Sequence, residues 1–246
     1  MIYQLGDHIL INADSILDKE LVRKAIGDKK IRSIISDPPY GVAYVEGKKD
    51  FGDIKLVKKD KIIANDQLQT DDEYKDFTRD WLKVVTPHME SYNSFYIFNS
   101  DLMYCALRQG ILAAKGYYSQ MIVWDKLRIV IGRKDYLPQH ELIAYGWFGR
   151  HKMERNKGKS ILKYPKPNKN SLHPTMKPIG LMRRLILDAT KKGEYVYDPF
   201  GGSGSTLIAC EHTQRKCIMV ELDKDYCDTI IKRWETLTGQ VAKKIG

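Results

Sequence analysis

The chain has 246 residues, with 43% apolar and 29% charged side chains, a globular composition; no apolar run reaches the roughly 20 residues that cross a membrane. Four cysteines with no C-x-x-C pair exclude a disulfide scaffold and a cysteine zinc cluster. Lys and Arg total 41 against 31 Asp and Glu; residues 126–177 hold 13 of the former and 3 of the latter, so the rest carries 28 of each sign and is neutral. A neutral body with one basic segment suits a polyanionic partner, although a solvated basic face has the same composition. The first residues, Met1 to Asp7, lack a basic stretch followed by an apolar one, so no leader is read and a reducing cytoplasm is expected.

In chain order, Ile9-Leu10-Ile11 reads as a strand with Asp14 just beyond it. Ile31 to Ser36 is an apolar run that two prolines stop, so Asp37-Pro38-Pro39-Tyr40 lies past a strand's carboxyl end. Residues 41–70 are Gly- and Lys-rich and predict a mobile loop. Tyr74, Phe77, Trp81, Leu82 and Val85 keep helical spacing over 71–86. Phe95 to Phe98 predicts a buried strand, 101–115 a helix, and Gln120–Trp124 and Glu141–Trp147 further strands. Residues 149–172 have no period and predict loops. A helix is expected from Pro178 to near Gly193. Tyr195-Val196-Tyr197 then gives a strand, followed by a glycine-rich turn, a helix and the strand Cys217–Glu221. The last helix shows Tyr226, Ile230, Trp234 and Leu237 on one face. Strands alternating with helices predict a parallel α/β sheet.

The turn reads Asp198-Pro199-Phe200-Gly201-Gly202-Ser203-Gly204. It lacks the Lys of a phosphate-binding P-loop, and Leu207 stands where a dinucleotide fingerprint needs its third glycine. A nucleoside ligand without a pyrophosphate remains, and S-adenosylmethionine fits. Glu221, at the end of the next strand, is placed to accept hydrogen bonds from ribose hydroxyls. A structural turn beside a solvent-facing Glu is the plainer alternative.

Asp37-Pro38-Pro39-Tyr40 suits chemistry on an exocyclic amine. The amine's lone pair is delocalised into its ring, so acceptors must grip its N–H bonds and draw the nitrogen toward tetrahedral geometry. The Asp37 carboxylate and the Pro38 carbonyl supply acceptors, and Tyr40 supplies an aromatic face for a flipped base. Positioning and electrostatics carry such a transfer, with no metal and no covalent intermediate.

These two motifs, with the catalytic one first, resemble the circularly permuted β group of amino-methylating DNA methyltransferases, including phage- and ParB-associated members. Trp124-Asp125-Lys126 is similar to that family's W-x-K strand, and His173-Pro174-Thr175-Met176-Lys177-Pro178 to its H-P-T-x-K-P element. The resemblance spans about residues 8–242. It implies a Rossmann-like class I methyltransferase fold, S-adenosylmethionine as cofactor and double-stranded DNA as substrate. Residues 1–126 would form the catalytic half, 127–172 a basic target-recognition insertion and 173–246 the cofactor half. Asp37, Pro38, Pro39 and Tyr40 would act on the base. Asp14, Asp37, Thr175, Lys177, Asp198, Phe200, Gly201, Gly202, Ser203, Gly204 and Glu221 would surround the cofactor, with Thr175 and Lys177 on its methionine carboxylate. Lys126, Arg128, Arg133, Lys134, Arg150, Lys152, Arg155 and Lys157 are the expected DNA contacts, most of them to phosphates. Lysines of the 41–70 loop are expected to take part of the recognition. A homodimer and a cognate restriction enzyme are partners that the resemblance raises and no legible interface supports.

Asp at the head of the tetrapeptide favours adenine N6 in this family, where Ser is usual for cytosine N4; cytosine N4 stays as the alternative, and RNA as a lesser one. A non-catalytic DNA-binding protein on the same scaffold is the reading from another class, and the intact motifs speak against it. His140-Glu141 fails as a zinc motif because Ala144 replaces the second His, which leaves a structural or DNA-facing role. No Cys follows the proline pair, so cytosine C5 chemistry is not expected. Trp81, Trp124 and Trp234 are read as core, and Cys210, Cys217 and Cys227 as small buried residues.

Overall fold

Five apolar strands form a parallel centre: β2 (His8–Asn12), β10 (Lys216–Glu221), β9 (Tyr195–Asp198), β3 (Ile31–Ser36) and β4 (Met89–Asn99), adjacent in that order. The computed structural model describes residues 1–42, 67–129, 135–155, 158–167 and 176–246. Beyond β4 the sheet continues through β6 (His140–Trp147), antiparallel to both β4 and β5 (Tyr117–Asp125), and ends at β8 (Ile161–Lys163). At the other edge β1 (Ile2–Leu5) and β11 (Lys243–Lys244) add antiparallel strands, and the short β7 (Arg150–His151) pairs with the start of β4. The sheet is therefore mixed and mostly parallel, as expected.

Side chains alternate between two cores, as the period of a strand requires. Ile35, Tyr96, Phe98 and Met219 face one side, where Leu181 and Leu185 of α4 (Ile179–Ala189), Leu207 of α5 (Ser205–Thr213) and Trp234 of α6 (Lys224–Thr238) cover them. Ile34, Phe95, Ile97 and Val220 face the other, under Val22 of α1 (Lys19–Ile26), Trp81 of α2 (Asp71–Val85) and Leu107 of α3 (Tyr104–Ala113). Trp81, Trp124 and Trp234 are fully buried, as are Cys210, Cys217 and Cys227.

The chain order sets the position of the site. From β9 the chain passes through α5 to β10 on one side, while β3 flanks β9 on the other. The carboxyl ends of β3 and β9 thus lie side by side at the point where connections diverge, the usual crevice of an open α/β sheet.

Several expectations shift. Residues 140–147 form β6 in the interior of the sheet, a strand as expected over Glu141–Trp147, although they fall within the segment given to a recognition insertion. Residues 149–172, expected as loops, include β7 and β8. Helix α4 ends at Ala189 rather than near Gly193, because Thr190 takes extended backbone and its carbonyl accepts from the Arg215 guanidinium (2.7 Å). Leu237 is 45% exposed and does not join the α6 core face. Most of the loop expected over 41–70 lies outside the described residues, including Lys48, Lys49, Lys55, Lys58, Lys59 and Lys61.

Candidate active site

A cavity of about 1160 Å³ opens at the carboxyl ends of β3 and β9. Asp37, Pro38, Pro39 and Tyr40 line it from β3, and Asp198 to Ser203 from β9. Asp14, Glu221 and Lys177 also line it, with Tyr136 to Glu141 at its far wall. That volume holds a nucleoside ligand together with a nucleobase. The two motifs, some 160 residues apart in sequence, therefore share one pocket.

Each glycine of the turn has its own reason. Gly201 passes so close to β10 that a Cβ would lie 2.7 Å from Met219 Cγ. Gly202 has φ +52° and its N–H donates to Glu221 Oε2 (2.6 Å). Gly204 has φ +82°, and a Cβ there would lie 2.9 Å from Ile230 Cγ1. The Gly204→Ala change is expected to cost about 2–4 kcal/mol, from left-handed strain plus overpacking. Gly193→Ala, at φ +79° with nothing within 4 Å of its Cβ, carries only the strain. It is expected to cost about 1 kcal/mol. Urea unfolding of the two variants, with midpoints compared at unchanged m, checks the difference.

Glu221 is 9% exposed and both its oxygens accept backbone N–H groups, Oε2 from Gly202 and Oε1 from Asp223 (2.8 Å). Burial outweighs these bonds and raises its pKa to about 7. Asp198, also buried, accepts from the Phe200 N–H (3.1 Å) and the Thr206 hydroxyl (2.5 Å), and burial raises its pKa to about 8. The Phe200 ring packs against Phe77 and, edge-on, Trp81, each with centroids 5.7 Å apart. Phe77 thereby joins the cavity wall from α2.

At the opposite wall four ionisable groups and a phenol meet. Lys177 Nζ donates to Asp37 Oδ2 (2.6 Å) and reaches Glu141 Oε2 (3.0 Å); Lys126 Nζ reaches Glu141 Oε1 (2.8 Å). The Tyr40 hydroxyl lies 2.8 Å from Asp37 Oδ1 and 3.2 Å from Glu141 Oε2. Burial raises the Asp37 pKa, and the Glu141 charge adds to it against the pull of Lys177. Glu141 is the reverse: burial opposes its ionisation, but Lys177 and Lys126 outweigh burial and hold it at about 2.

A family model described as DNA methylase, N6_N4_Mtase, matches residues 31–233. The chain belongs to this DNA methylase family. It is 25% identical over 243 residues to the type II methyltransferase M.HpaI of Haemophilus parainfluenzae, covering 87% of this chain and 71% of that one. It is 27% identical to M2.LlaDCHI of Lactococcus lactis subsp. cremoris, covering 94% and 90%. Among solved structures, M1.HpyAVI in complex with SAM aligns at TM-score 0.64 and 22% identity, over 91% of this chain and 98% of that one. PvuII DNA methyltransferase, described as cytosine-N4-specific, aligns at TM-score 0.71 and 17% identity, over 97% and 89%. The fold is that of class I DNA methyltransferases. In this DNA methylase β3, which leads into Asp37-Pro38-Pro39-Tyr40, precedes β9, which leads into the glycine-rich turn, and this is the permuted order.

The other expected site residues of this methylase divide into three groups. Thr175, Arg133, Lys134 and Lys157 lie outside the described residues. Asp14 lines the cavity, with Oδ1 accepting from the Ile16 and Leu17 N–H groups (both 2.8 Å). The basic residues separate. Lys126, expected on DNA, is 6% exposed and bound to Glu141, so its ammonium is spent inside the pocket. Arg128 is exposed beside the cavity wall, its guanidinium donating to the Lys166 carbonyl. Arg150, Lys152 and Arg155 sit at the opposite end of the sheet. Arg150 pairs with Tyr92 at the start of β4, roughly 25 Å along the strand from the cavity-lining Ser100. The Lys152 carbonyl accepts from Arg32 (3.0 Å) and the Arg155 N–H donates to the Asp188 carbonyl at the end of α4 (3.4 Å). Their backbone contacts place these three at the end of the sheet away from the cavity mouth, and we propose that a duplex lying over the mouth does not meet them.

Replacing Arg150, Lys152 and Arg155 together with serine is therefore expected to leave DNA affinity and its salt dependence unchanged. Arg128→Ser is expected to lower the slope of log affinity against log salt by about 1. Filter-binding titrations over a salt series check both.

Glu141 and Lys126 are the pocket residues whose place the sequence reading missed. The one signal available is an acid opening an otherwise apolar strand, Glu141-Leu142-Ile143-Ala144.

Proposed function

We propose that this DNA methyltransferase transfers a methyl group from S-adenosylmethionine to the N6 amine of a flipped adenine. The observation that carries the reading is the meeting of the Asp37 loop and the glycine turn in one cavity. The acid at the head of the tetrapeptide favours adenine over cytosine. A relative described as a DNA adenine methyltransferase, YhdJ of Escherichia coli K12, is 33% identical over 73 residues, 30% of this chain and 25% of that one.

The cofactor fits the residues present. Glu221 is a buried acid facing the cavity; its carboxylate accepts the backbone N–H groups of Gly202, Asp223 and Leu222 and keeps acceptor capacity that suits a ribose hydroxyl. Ser205 Oγ is buried without a hydrogen-bond partner among the described residues and lines the cavity at the first turn of α5. A helix N-terminus with an unused hydroxyl suits a carboxylate. Phe200 offers a ring edge or face from the turn; Lys177, expected on the methionine carboxylate, is instead paired with Asp37 and Glu141.

When bound, S-adenosylmethionine supplies an electrophilic methyl group. The protein's part is to prepare the amine. Asp37 accepts one N–H, the Pro38 carbonyl the other, and the nitrogen's lone pair is freed from the ring. Tyr40 stacks on the base. After transfer the nitrogen sheds a proton, which Asp37, with its raised pKa, is suited to take.

Labelled cofactor, mixed unmethylated DNA and digestion to nucleosides test the target. N6-methyladenine is the expected product. N4-methylcytosine as the sole product would transfer the same geometry to cytosine, the specificity printed for the PvuII neighbour.

A further inference from the structure

Both oxygens of Asp37 are already in use. Oδ2 accepts from Lys177 and Oδ1 from Tyr40, so an arriving amine competes with both. Releasing Lys177 to nothing would strand a buried ammonium, whose desolvation is among the largest penalties in a protein interior. Its remaining surroundings are aromatic: Phe98, Tyr40 and Trp124 lie 5.1, 5.7 and 5.9 Å from Nζ to ring centroid. Among the described residues its anionic neighbours are Asp37 and Glu141.

Glu141 is built to receive what Asp37 gives up. One oxygen, Oε2, faces both the Lys177 ammonium and the Tyr40 hydroxyl, and that hydroxyl has one proton to share between two carboxylates. The other oxygen is fixed by Lys126, itself 6% exposed. Glu141 sits at the start of β6, paired with Trp124 of β5, so its carboxylate stands on the sheet rather than on the loops that carry Asp37 and Lys177.

We propose that Glu141 is a positioning residue that takes over Lys177 and the Tyr40 hydroxyl as Asp37 turns to the target amine, with Lys126 holding it in place. The proposal rests on Asp37 accepting that amine. It assigns Lys126 a task inside the pocket in place of the phosphate contact expected of it. Two cations and two carboxylates leave the cluster neutral, so the exchange moves hydrogen bonds without exposing net charge. The low pKa of Glu141 keeps it an acceptor throughout.

The test is Glu141→Gln, read as single-turnover methylation with DNA and cofactor saturating. The rate is expected to fall about 10²-fold, the scale of losing one positioned electrostatic partner. The second readout is the acid limb of the pH–rate profile, set by ionisation of Asp37. The charged or titratable groups facing Asp37 are Lys177, Tyr40, Glu141 and, from the end of β9, Asp198. Removing the Glu141 charge leaves Lys177 wholly on Asp37, so the acid limb is expected to move about half a pH unit or more toward acid. Glu141→Asp keeps the charge on a shorter arm. Its acid limb is expected to stay in place, with a rate loss of about 3–10-fold, smaller than that of a full partner deletion. A Gln variant within 3-fold of wild type, or one slowed with its acid limb fixed, would overturn the proposal. If the Gln variant does not fold, an Asp variant at wild-type rate does the same. The series includes Asp37→Ala: an active Asp37 variant sinks the underlying reading, an unaffected Glu141 variant only this one.

Discussion

Asp37→Ala is expected to lower the methylation rate by at least about 10³-fold, at the upper end of what removal of one positioned electrostatic group costs. Binding is expected to survive. Among the described residues Asp37 is the one carboxylate that the loop after β3 brings to the cavity, and its loss leaves Lys177 paired with Glu141 at 3.0 Å rather than stranded. Stability and cofactor affinity should change little, so the loss falls on kcat. Asp37→Asn is expected to be nearly as slow, since an amide offers one weaker acceptor and turns a donor toward Lys177 or the amine. Single-turnover assays, with DNA and cofactor dissociation constants measured on the same samples, separate chemistry from binding. A variant that loses DNA or cofactor binding in proportion to rate would show Asp37 to be structural.

The second large effect is on the cofactor. Glu221→Gln is expected to weaken S-adenosylmethionine binding about 10–100-fold, the scale of charge-assisted hydrogen bonds. Both Glu221 oxygens accept backbone N–H groups, so the amide of Gln would set its own donor against one of them. The same residue predicts a pH dependence. Burial raises its pKa to about 7, and ribose hydroxyls donate best to the ionised form. Ligand binding then favours the ionised state, so affinity is expected to be level above about pH 7 and to fall toward tenfold per unit below it. Titration calorimetry across that range should show the fall in the wild type and a flattened profile in Glu221→Gln. An unchanged affinity in the variant would remove Glu221 from the cofactor site.

What the sequence made legible was local. Two prolines stop β3, and glycines that pack on Met219 and Ile230 mark the turn after β9, so both ends of the pocket could be found by inspection. Helix α2 was equally plain from the spacing of Tyr74, Trp81, Leu82 and Val85, all of them buried. Helix α1 was not read, since eight residues bury only Val22 and Ile26. Strand β4 begins at Met89, before its apolar run, because its first residues overhang the core and are half-exposed or exposed. The Glu141 cluster was out of reach for another reason. It depends on the register that sets Trp124 opposite Glu141 and on a lysine 36 residues further along, and periodicity within one strand carries neither. Composition does not show how the basic segment divides in space, for the same reason. Charge counted along 126–177 does not tell that residues 150–155 fold against Arg32 and α4 at the far end of the sheet.

In the proposed chemistry one pocket lets Asp37 ready an adenine amine beside the glycine turn. Modification-sensitive sequencing of DNA from a host expressing the wild-type chain, set against the same host expressing Asp37→Ala, tests it most directly. N6-methyladenine within one short sequence in the first host, and none in the second, is the expected result. Methylation that persists in the Asp37 variant, or that falls on cytosine, would contradict it.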